Sequence, residues 1–180
     1  MPQGYLSAPS DPCILWTSPR EAIGHRTCLL SWVTDAAEFP SEVLEFRASR
    51  GLHVVSFLTN EEARCALDRD IPATMALAPY AGETACLVVV QSPTVDLQNA
   101  DPIRMTGTLV HEIAHQFAAE KTASTRRLGD GNRSMHVLAW LNGGLAELLR
   151  YTFLNDAART DAALREFQNA GDRLTWREIS

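Results

Sequence analysis

Apolar positions along the chain change their period several times, and each change marks an element. From about Glu21 to Arg50 the pattern is helical: Leu29, Leu30, Trp32 and Val33 precede Pro40, Val43, Leu44 and Phe46 follow it, and Gly51 offers a C-terminal stop. Leu52 to Leu58 is a β-branched, apolar run that predicts a strand. Thr59-Asn60-Glu61-Glu62 has the form of a capping box and opens a short helix to about Arg69. A second strand is predicted over Thr84 to Val90, whose unbroken apolar run suits burial on both faces. Asp101-Pro102 joins an N-cap to a proline at the first helical position and starts a helix reaching about Glu120. The stretch from Lys121 to Ser134 contains Gly129-Asp130-Gly131-Asn132, which has turn chemistry and no apolar period. Two more helices are predicted, from His136 to Leu154 with Leu138, Leu141, Leu145 and Leu148 on one face, and from about Asp156 to Ala170. Strands first and helices afterwards is the order of an α+β fold with a short mixed sheet, not of alternating βα units. Residues 1–20, with Pro2, Pro9, Pro12 and Pro19, read as an extended lead-in to a single domain over 21–180.

Composition narrows the class. With 180 residues, 46% hydrophobic and 21% charged, the chain can bury one core and is too short for two large domains. Its net charge of −6 argues against a nucleic-acid partner, because phosphate contacts need clustered Lys and Arg. Arg126, Arg127 and Arg133 come nearest to a basic cluster, and three arginines flanking a polar loop fit a solvated loop as well. No stretch approaches the ~20 apolar residues of a membrane span. Met1-Pro2-Gln3-Gly4-Tyr5 lacks the charged and apolar regions of a secretory signal, so the sequence reads as cytoplasmic, with no membrane partner. Cys13, Cys28, Cys65 and Cys86 are far apart and form no C-x-x-C pair, which reads as four thiols, two disulfides being the alternative for an exported chain.

The chemistry lies in His111-Glu112-Ile113-Ala114-His115, an H-E-x-x-H motif inside the helix that Asp101 opens. Residues four apart share a helical face, so both imidazoles can point at one ion while Glu112 reaches a water beside it. This is the zinc-hydrolase arrangement, in which the ion lowers the pKa of its water towards ~7 and the glutamate takes the proton as the water attacks a carbonyl. In a shuffled chain of this composition the motif would occur on the order of 0.01 times, so two ordinary histidines on an ordinary helix is the weaker reading. Tetrahedral zinc with two histidines needs a third protein ligand and leaves one position for water. The metzincin choice, a histidine six residues after the second, is excluded because Lys121 stands there.

Trp140-Leu141-Asn142-Gly143-Gly144-Leu145-Ala146-Glu147 resembles the W-L-x-E-G-x-A-E segment of gluzincin-type zinc metallopeptidases, the superfamily of the thermolysin-like enzymes and the zinc aminopeptidases. With the H-E-x-x-H helix and the strand before it, the resemblance covers roughly residues 51–155. It implies a small zincin-like domain, a Zn2+ cofactor, a peptide or protein substrate, His111 and His115 as ligands and Glu112 as general base. One position departs from the pattern: Gly143 stands where the ligand glutamate of that superfamily is usual. Glu147 matches the later acidic residue, which in many relatives supports a ligand histidine from behind. Three readings stand. Glu147 binds the ion directly; or His136 or Asp130 completes the set; or the site is incomplete and the protein is a pseudopeptidase that binds peptides or proteins without cleaving them. Gly143 and Gly144 each cost a helix about 1 kcal/mol relative to alanine, and close helix packing or ligand approach is the expected compensation.

Other residues carry less. Tyr151, one turn beyond Glu147, could donate to a developing oxyanion, and so could His136; packing and plain surface are the competing roles. His25 and His53 have no partner in the sequence and read as structural. The strand over Thr84 to Val90 either offers an edge to an extended peptide or is a buried central strand. The 33 residues after Glu147 suffice for one or two helices, which implies an open cleft rather than one closed by a large C-terminal lobe.

Overall fold

The computed structural model describes residues 4–10, 13–45, 52–67, 76–77, 87–91, 101–125 and 133–171. Its elements run β1 (Leu6–Ser10), β2 (Cys13–Thr17), α1 (Ile23–Val43), β3 (Leu52–Phe57), α2 (Asn60–Leu67), β4 (Ala76–Leu77), β5 (Leu87–Gln91), α3 (Pro102–Thr125), α4 (Arg133–Phe153) and α5 (Ala157–Gly171). The fold is α+β. One mixed sheet has the order β1-β2-β3-β5-β4, in which β2, β3 and β5 are mutually parallel and the outer strands β1 and β4 are antiparallel to their neighbours.

The largest correction concerns residues 1–20. Rather than leading into the domain, Leu6 to Thr17 form a hairpin that joins the sheet, with Leu6 opposite Thr17 and Ser10 opposite Cys13. Pro9 is tolerated because β1 is an outer strand, where a missing N–H facing outward breaks no ladder bond. Trp16 and Cys13 pair in register with Val55 and Leu52, so β2 lies in the interior of the sheet. The Thr84 to Val90 run also resolves. β5 lies between β3 and β4, so it is an interior strand of the sheet, and β4, not anticipated from the sequence, is the outer strand paired with it at Val89 and Val90.

One face of the sheet carries the core. Cys13 and Leu15 of β2 and Leu52 and Val54 of β3 cluster with Leu29, Trp32, Val33, Ala36 and Ala37 of α1 and with a stripe on α3, Met105, Leu109, Val110, Ile113, Ala114 and Phe117. That stripe follows the helical period, which is why α3 buries it against the sheet and α1 and leaves the next positions round the helix to α4. Among the described side chains of α4, from Gly143 onward, the buried ones are Ala146 and Leu149, flanked by Leu145 and Phe153, so the packed seam there is rotated one position from Leu145 and Leu148 of the leucine face expected.

Local capping follows the sequence. Asp101 Oδ1 accepts from the Ile103 N–H at 3.0 Å, and Thr59 Oγ1 accepts from the Glu62 N–H at 3.1 Å. The α4–α5 corner is a Schellman turn: Asn155 is left-handed at φ 53°, its N–H donates to Thr152 O, and the Asp156 N–H donates to Tyr151 O. Asp156 then caps α5 through the Arg159 N–H at 3.1 Å. Among the described residues no helix is long and apolar enough to cross a membrane.

Candidate metal centre

His111 and His115 lie on the flank of α3 that faces α4, just outside the buried stripe. Their Nε2 atoms stand 3.0 Å apart and their rings meet edge to face, with centroids 4.6 Å apart. Two nitrogens on one tetrahedral zinc, each at about 2.05 Å, are separated by about 3.3 Å. The pair therefore fits two ligands of one ion after widening by a few tenths of an ångström. In the protein alone, one Nε2 carries a proton and the other accepts it. Glu112 is half-buried on the same helix, next to His111 in the chain.

Burial, and then the neighbouring His115 and Arg150, draw the His111 pKa down from 6.5 to about 4, against the opposing pull of the Glu147 carboxylate. A neutral imidazole with a free lone pair is what a cation site requires of it.

α4 brings Glu147 to His111, but to the other ring nitrogen. Glu147 Oε1 is 3.6 Å from His111 Nδ1, whereas Nε2 is the atom turned to His115. His111 Nδ1 and Glu147 Oε2 are buried and make no hydrogen bond among the described residues, and a shift of a few tenths of an ångström would close an Nδ1–H···Oε1 bond. This geometry corresponds to a carboxylate supporting a ligand histidine rather than sharing its ion. Among the described residues, no group of three His, Cys, Asp or Glu side chains is arranged to hold a metal. Of the other two candidates, Asp130 lies outside the described residues, and His136 is described only for its backbone, in the first turn of α4.

Gly143 is not a point of close approach between the described elements. A Cβ at Gly143 would meet nothing within 4 Å among the described residues. Close approach occurs instead at Gly107, one turn before His111, where a Cβ would lie 2.9 Å from Leu154 Cδ2 at the end of α4. Its signal in the sequence is a glycine in mid-helix at i−4 from the first histidine. Tyr151 is half-buried beside Glu147; burial first, and then a hydrogen bond to and the charge of that carboxylate, raise the phenol above its usual pKa.

The remaining sequence candidates have local partners. His53 Nδ1 accepts from Trp16 Nε1 at 2.9 Å, and burial lowers its pKa. His25 Nδ1 is 3.2 Å from Glu21 Oε1. Cys28 and Cys65 are exposed free thiols, Cys13 is buried in the core, and Cys86 lies outside the described residues. Comparison of the chain with protein-family models, with curated proteins and with solved structures yields no match in any of the three.

Proposed function

We propose that the chain is a zinc-dependent peptidase with a small zincin-like fold, acting on peptide or protein substrates. The observation carrying this reading is the convergence of His111 and His115 Nε2 to 3.0 Å on a helix that also bears Glu112. The mixed sheet with a two-residue antiparallel edge strand beside α3 is compatible with it. Zinc bound by the two histidines would supply a water acidic enough to attack at neutral pH and would polarise the substrate carbonyl. Glu112 accepts the proton of the attacking water and delivers it to the leaving amine. Glu147 acts on His111 from the Nδ1 side, which favours support over direct ligation. Tyr151 stands one turn beyond Glu147 on α4, where burial and that carboxylate hold its phenol protonated, above the usual range.

The test is metal stoichiometry with a peptidase assay. Protein freed of metal and then given zinc should bind one equivalent, and Glu112→Gln should keep the zinc and lose hydrolysis; no binding, or unchanged turnover, refutes the corresponding part. A second reading, a pseudopeptidase that binds peptides without cleaving them, is favoured by Glu147 meeting Nδ1 while Gly143 occupies the usual ligand position. Gly143→Glu separates the two, since the position has room for a side chain. A gain in zinc affinity or activity would mean that the natural chain lacks a third donor; a loss would mean that one is already present.

A further inference from the structure

Glu147, Arg150 and Tyr151 are spaced i, i+3 and i+4 on α4 and share one face. Arg150 Nη1 is 3.9 Å from Glu147 Oε1, the same oxygen that lies 3.6 Å from His111 Nδ1. An i, i+3 ion pair on a helix is usually a solvated surface pair. Here the two side chains are 32% and 37% exposed, yet Arg150 Nε, Glu147 Oε2 and His111 Nδ1 are each buried and make no hydrogen bond among the described residues. The three are one step from a closed set, with two donors on either side of one carboxylate. Tyr151 follows Glu147 by one turn of α4, and its ring lies under the Arg159 guanidinium of α5, 5.5 Å from the ring centroid. Arg159 is held in turn by Asp156 at 3.5 Å. Both residues follow the Schellman turn, so the whole corner is fixed by backbone hydrogen bonds.

A neutral imidazole has one N–H and one lone pair, and the partner of one nitrogen decides which atom carries the proton. We propose that Arg150, with Tyr151, is a positioning residue for the histidine pair: it holds the Glu147 carboxylate at His111 Nδ1. The proton is thereby kept on Nδ1 and the lone pair of Nε2 is turned to His115. If Glu147 is released, His111 is free to protonate Nε2 instead, and the lone pair is lost from the point where both histidines converge. The consequence for metal affinity rests on the zinc reading above; the consequence for the tautomer does not.

Two measurements on the full chain test this: the ring nitrogen resonances of His111 in metal-free protein at neutral pH, and zinc affinity by competition with a chromogenic chelator. The wild type should show His111 as the Nδ1–H tautomer. Arg150→Met should convert it to a mixture with the Nε2–H form and weaken zinc roughly tenfold, within the 10- to 100-fold range typical of lost outer partners. Arg150→Lys should stay within about threefold of wild type, because a single 3.9 Å contact needs a positive charge and not a guanidinium fork. Should Arg150→Met fail to fold by circular dichroism, Tyr151→Phe, which removes one hydroxyl, carries the same expectation in weaker form. An Nε2–H tautomer in the wild type, or an unchanged tautomer in a folded Arg150→Met or Tyr151→Phe, overturns the proposal. A chain that binds no zinc but whose His111 tautomer responds to these variants refutes the metal reading and sustains the brace.

Discussion

Replacing each of two helical glycines by alanine should move stability in opposite directions. At Gly143 the added methyl meets nothing within 4 Å among the described residues, so the substitution collects only the helix preference of alanine, about 1 kcal/mol. For a chain of this size that corresponds to roughly 2–4 °C in the unfolding midpoint. At Gly107 the same preference is opposed by contacts at 2.9 Å to Leu154 Cδ2, 3.0 Å to Cγ and 3.4 Å to Cδ1. Carbon pairs are most favourable near 3.5–4.0 Å, and overpacking of this kind costs about 1–3 kcal/mol. Leu154, which follows the last residue of α4, is half-buried, so moving its side chain aside gives up part of its packing. The net expectation for Gly107→Ala is a loss of up to about 2 kcal/mol, measured by urea unfolding against Gly143→Ala. Adding Leu154→Ala should remove the clash, giving a coupling of at least about 1 kcal/mol in the double-mutant cycle. Equal stabilisation at the two glycines, or no coupling to Leu154, would refute the view that Gly107 sets the distance between the histidine helix and α4.

Three further outcomes are expected. Burial raises the Glu62 pKa, but the Leu58 N–H at 2.8 Å, Tyr5, Ser18 and Arg20 together outweigh it and lower the pKa below 4.5. A carboxylate so depressed adds stability that is fully present above pH 4.5 and is lost as the pH falls through its folded value, so Glu62→Gln should flatten the acid limb of a stability profile and leave its neutral slope alone. Asn155→Ala should cost about 1–2 kcal/mol because alanine resists the left-handed conformation, whereas Asn155→Gly should be neutral or slightly stabilising; thermal unfolding of both decides it. Trp16→Phe leaves His53 Nδ1 without its donor and should cost about 1–2 kcal/mol in urea unfolding, with His53→Phe in the same background adding little further loss.

What could be read along the chain was what depends on neighbours within a turn or two. Apolar period and capping chemistry placed β3, α2, α4, α5 and the starts of α1 and α3 to within a few residues, because Asp101 and Thr59 make their cap contacts with residues two or three positions away; α1, however, ends at Val43, before the left-handed Glu45, rather than near Arg50, and α3 continues past Glu120 to Thr125. The approach of His111 to His115 is of the same kind, since four residues on a helix is one turn whatever surrounds it. The β1–β2 hairpin was concealed because its prolines are local punctuation whose cost vanishes at an outer strand, and an outer position is a property of the sheet. β4 is two residues long and gains its hydrogen bonds only from β5.

By itself, therefore, the sequence determined an α+β chain with one helix that sets two imidazoles on one face, with Glu112 next to the first of them in the chain. Only the tertiary structure decided what meets them. Gly107 rather than Gly143 admits α4, and the rotation of α4 about its Ala146–Leu149 seam delivers Glu147 to Nδ1 of His111 instead of Nε2. Those two ring nitrogens differ by about 2 Å and by opposite hydrogen-bonding roles, a distinction that depends on how two packed helices sit against each other and that no spacing along one chain encodes.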